Sequence, residues 1–216
     1  MKKLLVSLLA LVLIAGCSSK PAETPEPTAT PEETPAETPE TEAETAYELG
    51  VWEDTNFSSK TLNMRLTLPE GWTVESSDYQ QAVLDAGAEV MDTDKEDLQE
   101  TYLEFFLKGP DQASSIQGMS QYVGPAGKTF TLGLLTETLK SQLTSVEDFT
   151  YEVKDEGTVT IGGEEYGFLY LEETNYALHQ KVYFRVVGEY LFNLTVSTSL
   201  EGLEVTDAFI SSIQTY

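Results

Sequence analysis

Polar and apolar residues alternate strictly through LNMRLTLPEGW, residues 62–72: Leu62, Met64, Leu66 and Leu68 fall on one side, Asn63, Arg65 and Thr67 on the other. A period of two predicts a half-buried strand, closed here by the Pro-Glu-Gly turn. SDYQQAVLDAGAEVMD then reads as a helix capped by Ser76 or Ser77, and TDKE (93–96) as a capping box opening a further helical turn. YLEFFLK and SIQGMSQYV read as strands divided at Gly109-Pro110. In TFTLGLLTETLKSQL the period changes, and Leu132, Leu135, Leu139 and Leu143 form one helical stripe. Two hairpins follow, one about Gly162-Gly163 and one about Gly188-Glu189.

Val182, Phe184 and Val186 alternate on one strand of the second hairpin, and Tyr190, Phe192, Leu194 and Val196 on the other. The opposite face is also apolar, carrying Tyr183, Val187, Leu191, Leu169 and Leu171, so cover on both faces is expected. An amphipathic last helix presents Leu203, Phe209, Ile210 and Ile213. The predicted class is α+β, an antiparallel sheet with helices packed on it.

Upstream of residue 47 the pattern is different. Lys2 and Lys3 precede an apolar run from Leu4 to Ala15, which has the length of an export signal and falls short of the roughly 20 residues a spanning helix needs. Ile14-Ala15-Gly16-Cys17 resembles the lipobox of bacterial lipoproteins. The resemblance implies a diacylglyceryl group on the Cys17 sulfur and cleavage between Gly16 and Cys17. Residues 1–16 are then a signal peptide, and the mature chain is held by lipid at the extracytoplasmic face of a bacterial membrane. Two acyl chains hold stably where one holds marginally, at about 0.8 kcal/mol per buried methylene. Cys17 is the only cysteine, so no disulfide forms within the chain, and cysteine-ligated zinc and cysteine catalysis are excluded.

Residues 17–46 form a linker composed, after Lys20, solely of Pro, Ala, Glu and Thr. It has too little apolar bulk to offset its ordering entropy, and its prolines and like charges favour a spacer reaching about 50–90 Å. Residues 47–216 hold all 11 tyrosines, all 9 phenylalanines and both tryptophans, enough for a single globular domain. About −20 of the chain's formal −25 belongs to that domain, a field that repels nucleic acid and anionic lipid headgroups. A monomer touching the membrane only through its lipid is expected.

The order of elements, with LPEGW ending a strand, IGGEEYG in a hairpin and SSI in the last helix, resembles the PsbP-like fold from Asn56 to Tyr216. That family includes extrinsic subunits of the photosynthetic oxygen-evolving complex and many bacterial lipoproteins. The resemblance implies an α/β/α sandwich that binds or assists assembly without catalysing, and it carries no functional residues across.

Motif chemistry adds little. Gly127-Lys128-Thr129 ends like a phosphate-binding loop, but Tyr122 stands where that loop needs glycine and Pro125 lacks an amide donor. Asp92, Asp94 and Glu96 open like a calcium loop, yet Asp97 replaces its glycine and Leu103 its closing glutamate. His179 lacks a nucleophile-elbow serine and reads as a strand residue facing solvent or an edge. The neighbours Glu164-Glu165 and Glu172-Glu173 must point to opposite strand faces, so neither pair can flank one glycosidic bond. The expected function is a non-catalytic binding or accessory module at the cell surface, with no cofactor and no metal. Its partner is an envelope protein or a small ligand; a hydrolase of unrecognised type or a structural, cation-buffering envelope protein are the alternatives.

Overall fold

In the computed structural model, residues 47–90, 100–144, 150–175, 177–199 and 203–216 are described. Among the described residues ten strands and three α-helices follow in the order β1 (Val51–Glu53), β2 (Asn56–Ser59), β3 (Met64–Thr67), β4 (Thr73–Val74), α1 (Ser77–Val90), β5 (Thr101–Lys108), β6 (Ser115–Tyr122), α2 (Leu132–Leu143), β7 (Tyr151–Ile161), β8 (Glu164–Glu173), β9 (Leu178–Val187), β10 (Tyr190–Thr198) and α3 (Leu203–Ser212). Seven strands form one antiparallel sheet in the order β4-β5-β6-β10-β9-β8-β7, while β1, β2 and β3 form a separate small meander. The alternating stretch at residue 62 thus belongs to a second sheet and not to the main one. Its strand is also shorter than its pattern, because Asn63 takes a left-handed φ of 49° and residues 61–63 form a turn.

Register explains why both faces are apolar. Leu191 pairs with Val186 and Phe184 with Asn193, so Leu191 shares a face with Val182, Phe184 and Val186. Phe192, Leu194 and Val196 share the other face with Tyr183, since Leu194 pairs with Tyr183. The sequence pattern groups these residues the other way, because alternation within a strand leaves its phase against the neighbour unset until pairing fixes it.

The first face is covered by α1 and α2, and the leucine stripe supplies the contact: Leu135, Leu139 and Leu143 are buried against Leu169, Leu171 and Phe184. Thr131 caps α2, its side chain accepting the Leu134 amide at 3.2 Å, and Ser76 caps α1 by accepting the Tyr79 amide at 3.3 Å. The second face is covered by the small meander and α3, which bury Phe57, Met64, Leu66, Phe209 and Ile213 against Phe105, Ile116, Phe192 and Leu194. The outer layer there is part sheet and part helix.

Both hairpins turn as their glycines require. Gly162 and Gly163 have φ of 57° and 83°, the pair of positive values a two-residue type I′ loop needs, and Gly188 has 63°. The long edge strand β7 points Glu152, Lys154, Asp155 and Glu156 at solvent and carries a bulge between Val153 and Asp155. Charge and a bulge on an edge discourage pairing with another chain. The phosphate-loop look-alike is a strand-to-helix connection. Its amides are used internally, Gly127 N–H donating to the Gly124 carbonyl at 2.9 Å and Phe130 N–H to Gly127 at 2.9 Å.

Candidate functional site

Strand β5 contains the feature from which the site is built. Leu103 pairs with Met119 and Phe105 with Gly118, which leaves Glu104 as an extra residue in a bulge. Without the bulge Glu104 and Phe105 would point to opposite faces. With it both enter the second face, where Glu104 is only 5% exposed. A buried carboxylate needs partners, and the first residues of the domain supply them. The Tyr47 hydroxyl donates to the Glu104 carboxylate and lies 2.6 Å from Ser120 Oγ. Gly50 N–H donates to the second carboxylate oxygen at 2.9 Å, and Ser120 Oγ donates to the first at 3.4 Å. Residues 47–50 are thereby strapped across the sheet.

The strap's aromatic residue completes a cluster. Ser120 and Tyr122 are two apart on β6, with Tyr102 opposite the first and Tyr190 opposite the second, so all three tyrosines share the face. Tyr47 stacks on Tyr102 with centroids 4.6 Å apart and planes at 10°, and leans on Tyr190 at 4.3 Å. Tyr122 contacts Tyr190 at 5.3 Å and donates its hydroxyl to Glu189 at 3.2 Å. Each such ring pair contributes about 0.5–1.5 kcal/mol beyond its buried area. All four tyrosines remain half-buried, with edges open to solvent.

Electrostatics mark the same place. Burial pushes the Glu104 carboxyl above its ordinary range, against the hydrogen bonds from Tyr47, Gly50 and Ser120. Burial, then the Glu104 charge, raises the Tyr47 phenol. Burial, then its tyrosine and glutamate neighbours, raises Tyr190. Burial raises the Tyr151, Tyr166 and Tyr183 phenols elsewhere in the domain as well, so these shifts follow burial. They also predict a pH dependence. Because the folded state holds the Glu104 proton more tightly than the unfolded chain, this group destabilises the fold when ionised. Its contribution improves as pH falls through the raised folded value and levels off below the unfolded value. Glu104→Gln should remove that slope, so the melting-temperature difference between variant and wild type should change between neutral pH and pH 4.5. A difference that stays flat would contradict the burial penalty.

The other candidates disperse. Gly16, Cys17 and the calcium-loop residues Asp92, Asp94, Glu96 and Asp97 lie outside the described residues. Leu103, the calcium loop's twelfth position, is a buried core residue of β5. His179 corrects its expectation: it does not face solvent but is 7% exposed on β9, with Nδ1 at 2.9 Å from the Tyr170 hydroxyl. Glu164 pairs with Arg185 at 3.2 Å and Glu172 with Lys154 at 3.0 Å. Glu173 is fully buried and accepts the Thr150 amide at 2.9 Å. Lys128 approaches Glu189 at 3.9 Å. Among the described residues no three His, Cys, Asp or Glu side chains converge as a metal site, and no helix is long and apolar enough to cross a membrane.

An antiparallel sheet covered on both faces, with a strapped aromatic cluster at one end, defines an α+β domain whose distinctive chemistry is a surface. The sequence matches no protein-family model and none of the curated proteins. The fold matches solved structures. The cyanobacterial PsbP (CyanoP) of Synechocystis sp. PCC 6803 superposes at a TM-score of 0.50 and 12% identity, over 83% of this chain and 100% of that one. LpqN, described as involved in cell envelope biogenesis of Mycobacterium tuberculosis, aligns at 0.42 and 11% identity, over 70% of this chain and 82% of its own. The domain has the PsbP-like fold.

Proposed function

We propose that the chain is a lipid-anchored extracytoplasmic module that binds a partner without catalysing a reaction, and that the tyrosine cluster is its contact surface. The observation that carries the reading is the cluster of Tyr47, Tyr102, Tyr122 and Tyr190, half-exposed and rigidly interlocked. Tyrosine gives large contact area at little entropic cost and is enriched where interfaces concentrate their energy. The hydroxyl–carboxylate bonds of Tyr47 and Tyr122 hold the rings in place before any partner arrives. The single imidazole, His179, is buried against Tyr170, a poor position for a general base.

Anchoring rests on the apolar run and Cys17. Cys17→Ser should abolish lipid labelling and shift the protein from the membrane fraction to uncut precursor or released form. Retention of that variant through a detergent-free high-salt wash would refute the anchor. For the surface, a photo-crosslinking residue at position 122 should give one discrete adduct in intact envelopes, with none from exposed Glu70. Equal adducts from both positions would remove the tyrosine cluster as the contact.

A further inference from the structure

The same face of the main sheet carries a second feature on its other half, independent of the tyrosine cluster. Asp155 on β7, Tyr170 on β8 and Lys181 on β9 lie in one rung across three strands. The next rung runs Gly157, Phe168, Tyr183. α3 borders them and contributes Leu203 and Asp207 to an open cleft of about 340 Å³. That is near the small end of ligand pockets, which span roughly 300–1,000 Å³.

Glycine at 157 matters because it leaves the flank of Phe168 open. A Cβ there would sit 3.3 Å from the ring's Cε1. Phe168 and Tyr170 are both half-buried, so the cleft has an aromatic floor. Its polar groups have neighbours of their own. Lys181 Nζ is held by Asp207 Oδ1 at 2.5 Å and lies 5.8 Å over the Tyr170 ring, whose hydroxyl is tied to His179. Asp155 Oδ1 accepts the Glu156 amide at 2.9 Å, and its side chain is exposed at the cleft mouth.

These groups specify an occupant. It must lay a flat apolar face on Phe168 and Tyr170, accept a hydrogen bond from the Lys181 ammonium, and donate to the Asp155 and Asp207 carboxylates. Lys181 already occupies the cation position over the Tyr170 ring, and a domain near −20 repels anions. A neutral ring bearing several hydroxyls meets every condition. We infer that the cleft between β7–β9 and α3 is a binding site for a neutral saccharide.

The probes are cellobiose and N,N′-diacetylchitobiose, titrated into the full chain and followed by NMR, with insoluble cellulose and chitin as pull-down arms. A saturable Kd of about 1 mM, corresponding to −4.1 kcal/mol, is expected for at least one disaccharide. Retention on polymer alone would assign the ligand to a polymeric source and still support the site. Gly157→Val sets a residue that suits a strand against the Phe168 ring of the floor, and Lys181→Met removes the ammonium. Each should weaken binding at least about tenfold while the melting temperature stays within a few degrees of wild type. Binding that survives both variants overturns the assignment, as does the absence of binding to any of the four probes. Saturable binding of choline without sugar binding overturns it too, since the cleft would then be a cation site.

Discussion

Replacing Arg185 with Ala should lower the stability of the domain by about 2–3 kcal/mol, below the 3–5 kcal/mol of a fully buried pair because Glu164 is partly exposed. Arg185 lies on β9 at 8% exposure, its guanidinium paired with Glu164 at 3.2 Å and 5.0 Å from the Tyr166 ring centre. It also donates to the Leu62 carbonyl in the turn that leads into β3. One side chain therefore joins the main sheet to the small meander. Its loss leaves a carbonyl and a carboxylate short of a donor and opens a void beside Tyr166. For a domain of this size the melting temperature should fall by about 5–10 °C. Arg185→Lys should recover only part of that, because an ammonium restores charge without the planar fork. A drop of less than about 1 kcal/mol in denaturant titration would mean that Arg185 adds little to the join between the two sheets.

The second large effect is expected at Gly167. It faces Phe184 across the β8–β9 pair, and a Cβ there would lie 2.3 Å from one ring carbon and 2.6 Å from another. Phe184 is fully buried beneath α2, so the ring has nowhere to go. Gly167→Ala should cost about 1–3 kcal/mol by overpacking. Combining it with Phe184→Leu tests the cause. The double variant should be more stable than the sum of the two singles implies, with a coupling of about 0.5 kcal/mol or more. Strict additivity would place the cost in the backbone and not in the ring contact.

The hairpins and the leucine stripe were readable in advance because their signals are local. Gly162-Gly163 needs positive φ whatever surrounds it, and Leu135, Leu139 and Leu143 need one helical face. What lay hidden depended on pairing between distant residues. In YLEFFLK the glutamate looks like an ordinary outward polar residue, and only the register slip against Met119 and Gly118 turns it inward. Tyr47 reads as no more than the first residue after the linker, yet its hydroxyl finds a carboxylate 57 residues away. β1 and β2 were missed because three- and four-residue strands hold too few positions for a period to emerge. The first half of β7 was masked by its charges, which an edge strand can carry on its solvent side.

The strap has a mechanical consequence. Any tension carried along residues 17–46 reaches the domain at Tyr47, before the short strands β1 to β3. There the force meets the Tyr47 and Gly50 bonds to Glu104, and beyond them β5, which is hydrogen-bonded along its length to β6. Load is thus shunted into the large sheet, and the three-residue strand β1 is not asked to resist being unzipped. At the other end, Gln214 and Arg65 exchange two backbone hydrogen bonds at 2.8 and 2.9 Å, tying the C-terminal segment to β3. The small meander lies between two clasps, so a pull applied on the N-terminal side of Tyr47 should strain the bulge at Glu104 before it peels the outer layer from the core.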